Sequence, residues 1–282
     1  MNKMPQTASL GAGGRVYQYA ILMIMAALVL VPLITTVLGG LKSLAELRAN
    51  PFGWPRQIDL DAYISILGSK NFWLYLKNSA IITVFSVVLT MALAAMAAFV
   101  FAIIDFSGRE KLLTFFTIGL MFPAATAALP LFIKVRDLGL LDTYPGVILP
   151  NVAFGLAMSI ILLRRFFKEL PDELREAAFI DGCGYIGYFW CIMLPLSRPI
   201  LATVATIQFV HVWNNYIIPL VLLNSEDKYP WTLGIMQFQG EYLSEWNMIL
   251  SFITLTMIPT VVFFLACQKH IVAGLTSGAV KG

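Results

Sequence analysis

Charge is what this sequence has least of. Only 12% of its 282 residues are Asp, Glu, Lys or Arg, about half the share of a soluble domain. Its 19 basic and 16 acidic residues leave a net charge of +3, too small and too scattered for a nucleic-acid surface. Two histidines and three cysteines leave little from which to build a metal site. Cys183, Cys191 and Cys267 form no CxxC pair, so free thiols are expected rather than a disulfide. There is no HExxH, no GxSxG and no paired carboxylate within an apolar run, which argues against an intramembrane enzyme. The acidic residues fall almost entirely between the apolar runs, which argues against an ion-driven secondary transporter. No GxxxxGK[ST] phosphate loop occurs, so this chain has no ATPase signature of its own.

What is present is apolar length. Hydrophobic residues make up 59% of the chain, and they gather in runs of about twenty, the length that crosses a bilayer as a helix. The expected fold is an all-α membrane protein with six transmembrane helices. After a polar tail at 1–15, a single transmembrane domain fills 16–282, with spans at about 16–38, 74–106, 112–133, 144–164, 199–223 and 247–267. The first run is too long for a signal-peptide core and is read as a retained span. Pro32 should kink it, and Pro123 and Pro130 should bend or break the third. Pro51, Gly53 and Pro55 forbid a long helix between the first two spans. An even number of spans puts both termini on one side.

One charged interruption stands out between the fourth and fifth spans, at 166–198. Pro171 suits the first turn of a helix, where its missing N–H is no loss. Asp172, Glu173 and Glu176 place negative charge at that helix's positive end. Gly182, Gly184 and Gly187 should stop the helix and turn the chain back, followed by an aromatic second piece with Tyr185, Tyr188, Phe189 and Trp190.

Within it, Glu176-Ala177-Ala178, Gly182, Ile192, Leu194 and Pro195 reproduce the pattern EAA-x3-G-x9-I-x-L-P at every fixed position. This resembles the coupling loop of bacterial ABC-importer permeases, and LPDELREAAFIDG resembles the sugar-importing branch related to the maltose permeases. Weaker matches follow in the family's order: Asn78-Ser79, AAFVFAIIDFSGR, Met121-x-Pro123, LGLLDT at 138–143, Trp213-Asn214, Pro219-Leu220 and the closing GLTSGAVKG. The resemblance implies a transport subunit of the bacterial cytoplasmic membrane, multi-pass with both termini cytosolic, that performs no covalent chemistry. The loop would then be a cytosolic coupling loop. Cation bias agrees in sign but is mild, since Lys42, Arg48, Arg56, Lys70, Lys77, Lys134, Arg136 and Lys228 fall outside. By resemblance, Glu176 pairs with a basic group of an ATPase, Ala177 and Ala178 permit close approach, Gly182 supplies the bend and Asp181 caps the elbow. Leu194 and Pro195 complete the motif. The implied partners are a second permease of different sequence, two ATPase subunits, an extracytoplasmic solute-binding protein and lipid. ATP and Mg belong to the ATPases, with no cofactor in this chain. The implied cargo is a carbohydrate; glycerol-phosphate, osmolyte or peptide uptake is the alternative.

Two further groups are candidates. Gln208, His211 and Asn215, with Asn214 beside them, fall on one face of the fifth span. They serve either substrate hydroxyls or hydrogen bonds between helices. Tyr229, Trp231, Phe238, Tyr242 and Trp246 belong to an outer loop that faces the binding protein by resemblance and suits an interfacial aromatic belt by chemistry.

Overall fold

A computed structural model describes residues 12–240 and 244–277; the tail at 1–11, Tyr242 and the closing residues 278–282 lie outside the described residues. Helices account for nearly all regular structure. They are α1 (Ala12–Gly40), α2 (Leu44–Ala49), α3 (Asp61–Gly68), α4 (Lys70–Ile103), α5 (Arg109–Gly119), α6 (Ala128–Asp137), α7 (Tyr144–Glu169) and α8 (Asp172–Ile180). Then follow α9 (Tyr185–Leu196), α10 (Arg198–Trp213), α11 (Ile217–Leu222), α12 (Trp231–Gly234) and α13 (Trp246–Ser277). The chain forms two compact units, one of Met1–Gly68 with Phe238–Leu255 and the other of Ser69–Gln237 with Thr256–Gly282.

In the first unit, α1 is exposed over nearly its whole length. The carbonyl of Pro32, inside α1, accepts the hydroxyls of Thr35 and Thr36 at 2.9 and 2.8 Å. Both hydroxyls bond back to a carbonyl three or four residues earlier, which satisfies them inside the apolar helix. Past α1, Lys42 is 1% exposed, and its ammonium donates to the carbonyls of Asn50, Pro51 and Gly53 at 2.9, 3.3 and 2.6 Å. One buried cation thus gathers three carbonyls of the segment predicted to resist a long helix. Ser251 Oγ donates to Gly40 O at 3.0 Å and Tyr63 OH to Val37 O at 3.2 Å.

The second unit is built on α4 and α7. Between Phe72, Tyr75 and Ile82 toward one end and Phe99 and Phe101 at the other, the buried residues of α4 include Asn78, Ser79, Thr83, Ser86, Thr90, Ala94, Ala95 and Ala98. These small side chains let a neighbouring helix approach closely in lipid, where apolar bulk gains nothing. The two helices run in the same direction. Tyr144 OH donates to Asn78 Oδ1 at 2.8 Å at one end, and Arg164 Nε donates to Phe101 O at 3.1 Å at the other. The chain between Ile103 and Tyr144 therefore travels back along the same length, roughly 35 Å for the 23 residues from Asn78 to Phe101 at 1.5 Å each. It does so as α5 and α6, interrupted at 120–127 around Pro123. In the first turn of α5, Glu110 accepts Arg164 at 2.9 Å, and Arg109 pairs with Asp105 of the preceding turn.

Four of the six runs expected to span are single helices long and apolar enough to cross a membrane: Gly14–Gly40, Lys70–Ile103, Tyr144–Glu169 and Trp246–Gln268. The third, 112–133, is broken as its prolines require. The fifth departs from expectation. Its helix begins at Arg198, stops at Trp213 and resumes as α11, and α9 and α10 meet at a 78° bend. Counted as one bent span, that pair makes five. Asn214 and Asn215 explain the stop, because asparagine amides compete for backbone groups: Asn214 Nδ2 donates to Val210 O at 2.8 Å and Asn215 Oδ1 accepts Ile218 N–H at 3.1 Å.

At the Asn78 end of α4, the segment between α11 and α12 is tied down by side chains. Asn78 Nδ2 donates to the carbonyls of Asp227 and Tyr229 at 2.9 and 3.0 Å. Ser79 Oγ accepts Trp231 N–H at 2.8 Å, and the Trp231 indole donates to Trp213 O at 2.7 Å. Asp142 Oδ1 accepts the N–H groups of Asn224 and Ser225, both at 3.0 Å. Its other oxygen accepts the Ser225 hydroxyl and the Lys228 ammonium, the latter at 2.8 Å. The Lys228 bond, then those from Ser225 and Asn224, hold the Asp142 carboxyl far below the usual carboxylate range; the same bond holds the Lys228 ammonium above its ordinary value. A depressed acid stabilises the fold above its ordinary pKa of about 3.9 and loses that contribution as pH falls further. A raised base stabilises it below about 10.4 and loses that contribution as pH rises. Hydrogen exchange of the Asn224 and Ser225 amides, corrected for intrinsic rates, should therefore show constant protection from about pH 5 to 9 and loss below about pH 4.

Candidate functional site

The interruption at 166–198 folds as a helical elbow. Pro171 occupies the N-cap of α8 rather than its first turn, with ψ at 134°, and Asp172 and Glu173 follow at the positive end. The helix stops at a glycine in the left-handed region: Gly182 has φ of +80°, a conformation that disfavours any side chain. Around it Cys183 N–H reaches Ala178 O at 2.9 Å and Gly182 N–H reaches Phe179 O at 3.1 Å, the paired bonds of a Schellman ending. Gly184 is extended and precedes α9. Gly187 does not turn the chain as expected. It is helical, and a Cβ there would meet Cys183 Sγ at 2.6 Å, so its smallness serves close packing. Beyond it, Tyr188–Met193 is a π-helical turn, an irregularity often found at functional positions.

The elbow has a buried and an exposed side. Ala178 is buried in one cluster with Leu163, Phe167, Tyr188, Phe189 and Met193. Phe179 meets Tyr185 edge to face at 5.0 Å. Glu173, Glu176, Ala177 and Ile180 follow the i, i+3, i+4, i+7 spacing of one helical face, and all four are exposed, Ile180 at 86%. Glu176 has no ion pair among the described residues, whereas Asp172 is paired with Arg175 at 2.9 Å. Asp181 is the exposed C-cap of α8; in the last turn of α9, Leu194 is half-buried and Pro195 exposed. The seven motif residues thus share one elbow, with Ala178 facing inward and Glu176 outward.

The fifth-span candidates separate into two pairs. Gln208 is 4% exposed and donates to Gly155 O and Ser159 Oγ at 3.2 and 3.1 Å. Gly155 is glycine for room, since a Cβ there would lie 2.5 Å from Gln208 Oε1 and 3.2 Å from Thr90 Cγ2. Asn215 donates to Asn151 Oδ1 at 2.9 Å. These two amides join α10 and its extension to α7. His211 and Asn214 are exposed. The aromatic loop divides likewise: Trp231 is buried, Tyr229 and Phe238 are half-buried, and Trp246 is 54% exposed. Asn78, Ser79 and Asp142 were visible in the sequence only as short motifs without a role; nothing in their spacing shows that they meet residues 224–231. Replacing Gln208 by Ala should lower the stability of the folded chain by about 1–3 kcal/mol, from lost hydrogen bonds and the cavity left behind. His211→Ala should leave it unchanged, as measured by thermal unfolding in detergent.

The chain was compared with known proteins. Residues 65–277 match the family model described as binding-protein-dependent transport system inner membrane component. The diacetylchitobiose uptake system permease protein NgcG of Streptomyces coelicolor is 32% identical over 265 residues, covering 93% of this chain and 88% of that one. The arabinooligosaccharides transport system permease protein AraQ of Halalkalibacterium halodurans is 34% identical over 262 residues, covering 92% and 93%. Among solved structures, a chain of a bacterial ABC transporter involved in import of the acidic polysaccharide alginate superposes with a TM-score of 0.79 at 26% identity, covering 92% of this chain and 98% of that one. Nearly all-helical over its described residues and carrying a Glu-Ala-Ala elbow with Glu176 outward, this chain belongs to the binding-protein-dependent inner-membrane components, the permease subunits of ABC transporters.

Proposed function

We propose that this chain forms half of the membrane pathway of an ATP-driven carbohydrate importer and is driven through the elbow at α8. The observation that carries the coupling is the exposed face Glu173, Glu176, Ala177 and Ile180, backed by Ala178 in the core. A surface helix with one face seated among aromatic side chains cannot yield alone. Force on Glu176 passes to Phe167 and Tyr188 and so to α7 and α9. Two ATPase subunits, which hold ATP and Mg, would close against this elbow and the matching elbow of a second permease of different sequence. That function puts 166–198 and both termini in the cytosol and the segment 224–240 outside, facing a solute-binding protein. The carbohydrate assignment rests on relatives named for diacetylchitobiose, arabinooligosaccharides and trehalose uptake. His211 and Asn214, the exposed amide and imidazole of the fifth span, are the residues best disposed to meet the cargo.

Glu176→Lys tests the coupling. It should abolish uptake into cells while the permease still inserts and accumulates to the normal level, because the side chain is exposed and has no ion pair among the described residues. Normal uptake by that variant would sink the reading.

A further inference from the structure

The segment Asn224–Trp231 lies between two short helices, yet its conformation is set by residues from elsewhere. One carboxylate, Asp142, accepts from the backbone of Asn224, the backbone and hydroxyl of Ser225 and the ammonium of Lys228. Asp142 adopts φ of +57° and gives its own N–H to Leu222 O at 2.8 Å. Aspartate tolerates this left-handed conformation better than most residues. Asn78, fully buried, fixes the far side by donating to the carbonyls of Asp227 and Tyr229 while accepting Tyr144 OH. Two anchors, about 80 and 150 residues away in sequence, thus hold one eight-residue segment at both ends. Between them Glu226–Lys228 forms a single 3-10 turn whose Glu226 and Asp227 side chains stay exposed.

We infer that Asp142, backed by Asn78, is a positioning residue of transport: it presets Asn224–Trp231 in the shape that receives the solute-binding protein. This rests on the importer reading above. Neither anchor touches the partner, since Asn78 is buried and both Asp142 oxygens are occupied within the chain. The anchors act through the backbone that they hold. A segment released from Asp142 samples other shapes, and the apparent affinity of the docking partner falls by the fraction that remains competent. The effect therefore belongs on the concentration of binding protein required, not on the ATPase itself.

The test uses the complete transporter, with partner permease and ATPases, in proteoliposomes, and titrates ATP hydrolysis with substrate-loaded binding protein. Asp142→Ala should raise the half-maximal concentration about tenfold, as expected when one-tenth of the segments stay competent, with basal and saturated rates at the wild-type level. Asp142→Asn keeps an acceptor for the two N–H groups and loses the charge, so its rise should be smaller. The double exchange Asp142→Lys with Lys228→Asp restores an ion pair but offers no acceptor to Asn224 and Ser225, and it should not rescue. An unchanged half-maximal concentration in Asp142→Ala overturns the inference. So does full rescue by the exchange, a fall in saturated rate alone, or failure of both single variants to assemble. A wild-type transporter that binding protein does not stimulate would instead overturn the importer reading.

Discussion

Two long helices, α4 and α7, meet along a seam of small and hydroxylated side chains, and the rest of the second unit is referred to that seam. In lipid, apolar side chains gain nothing by leaving the solvent for each other. Association must come from close approach and from polar groups that satisfy one another. Ala94, Ala95 and Ala98 supply the close approach toward the Arg164 end. Asn78, Ser79, Thr83, Ser86 and Thr90 continue the same buried face toward the other end. Because the helices are parallel, the chain must return between them, and α5 and α6 are that return.

The seam has different chemistry at its two ends. At the Arg164 end, the core is aromatic and receives Ala178 of the elbow, so displacement of α8 meets packed rings rather than lipid. At the Asn78 end, the core gives way to side-chain amides and a carboxylate that hold backbone. The helix α10 joins these ends. Ile200 belongs to the aromatic core, Gln208 bonds to α7 midway, and Trp213 O accepts the Trp231 indole at the far end. At about 24 Å for its 16 residues, α10 is a rigid connector between the elbow and the segment after α11.

Much of the fold was legible in sequence where the governing physics is local. The run at 74–106 predicts a helix and the structure has one at Lys70–Ile103; the run at 144–164 appears as Tyr144–Glu169. Pro123 foretold the break at 120–127, since a missing N–H acts on the adjoining turn whatever its surroundings. The fifth span was less legible. Its apolar content continues through Leu223, but Asn214 and Asn215 turn their amides onto local backbone and end the helix ten residues earlier. Gly187 reads as a turn in sequence and is helical in the structure, because glycine serves close contact as readily as it serves a bend.

The polar stripe shows where the boundary lies. Spacing put Gln208, His211 and Asn215 on one face, but only the neighbours of that face decide their use. Ser159, Gly155 and Asn151 on α7 take Gln208 and Asn215, and nothing in the fifth span specifies those partners. By itself the sequence determined the membrane class, the extent of the unbroken helices and the Glu-Ala-Ala elbow, all of which follow from hydropathy, short-range spacing and turn chemistry. Only the tertiary structure decided that Ala178 faces inward while Glu176 faces outward, and that Asn78 and Asp142 grip residues 224–229. Those contacts join positions that chain separation keeps independent until the helices pack.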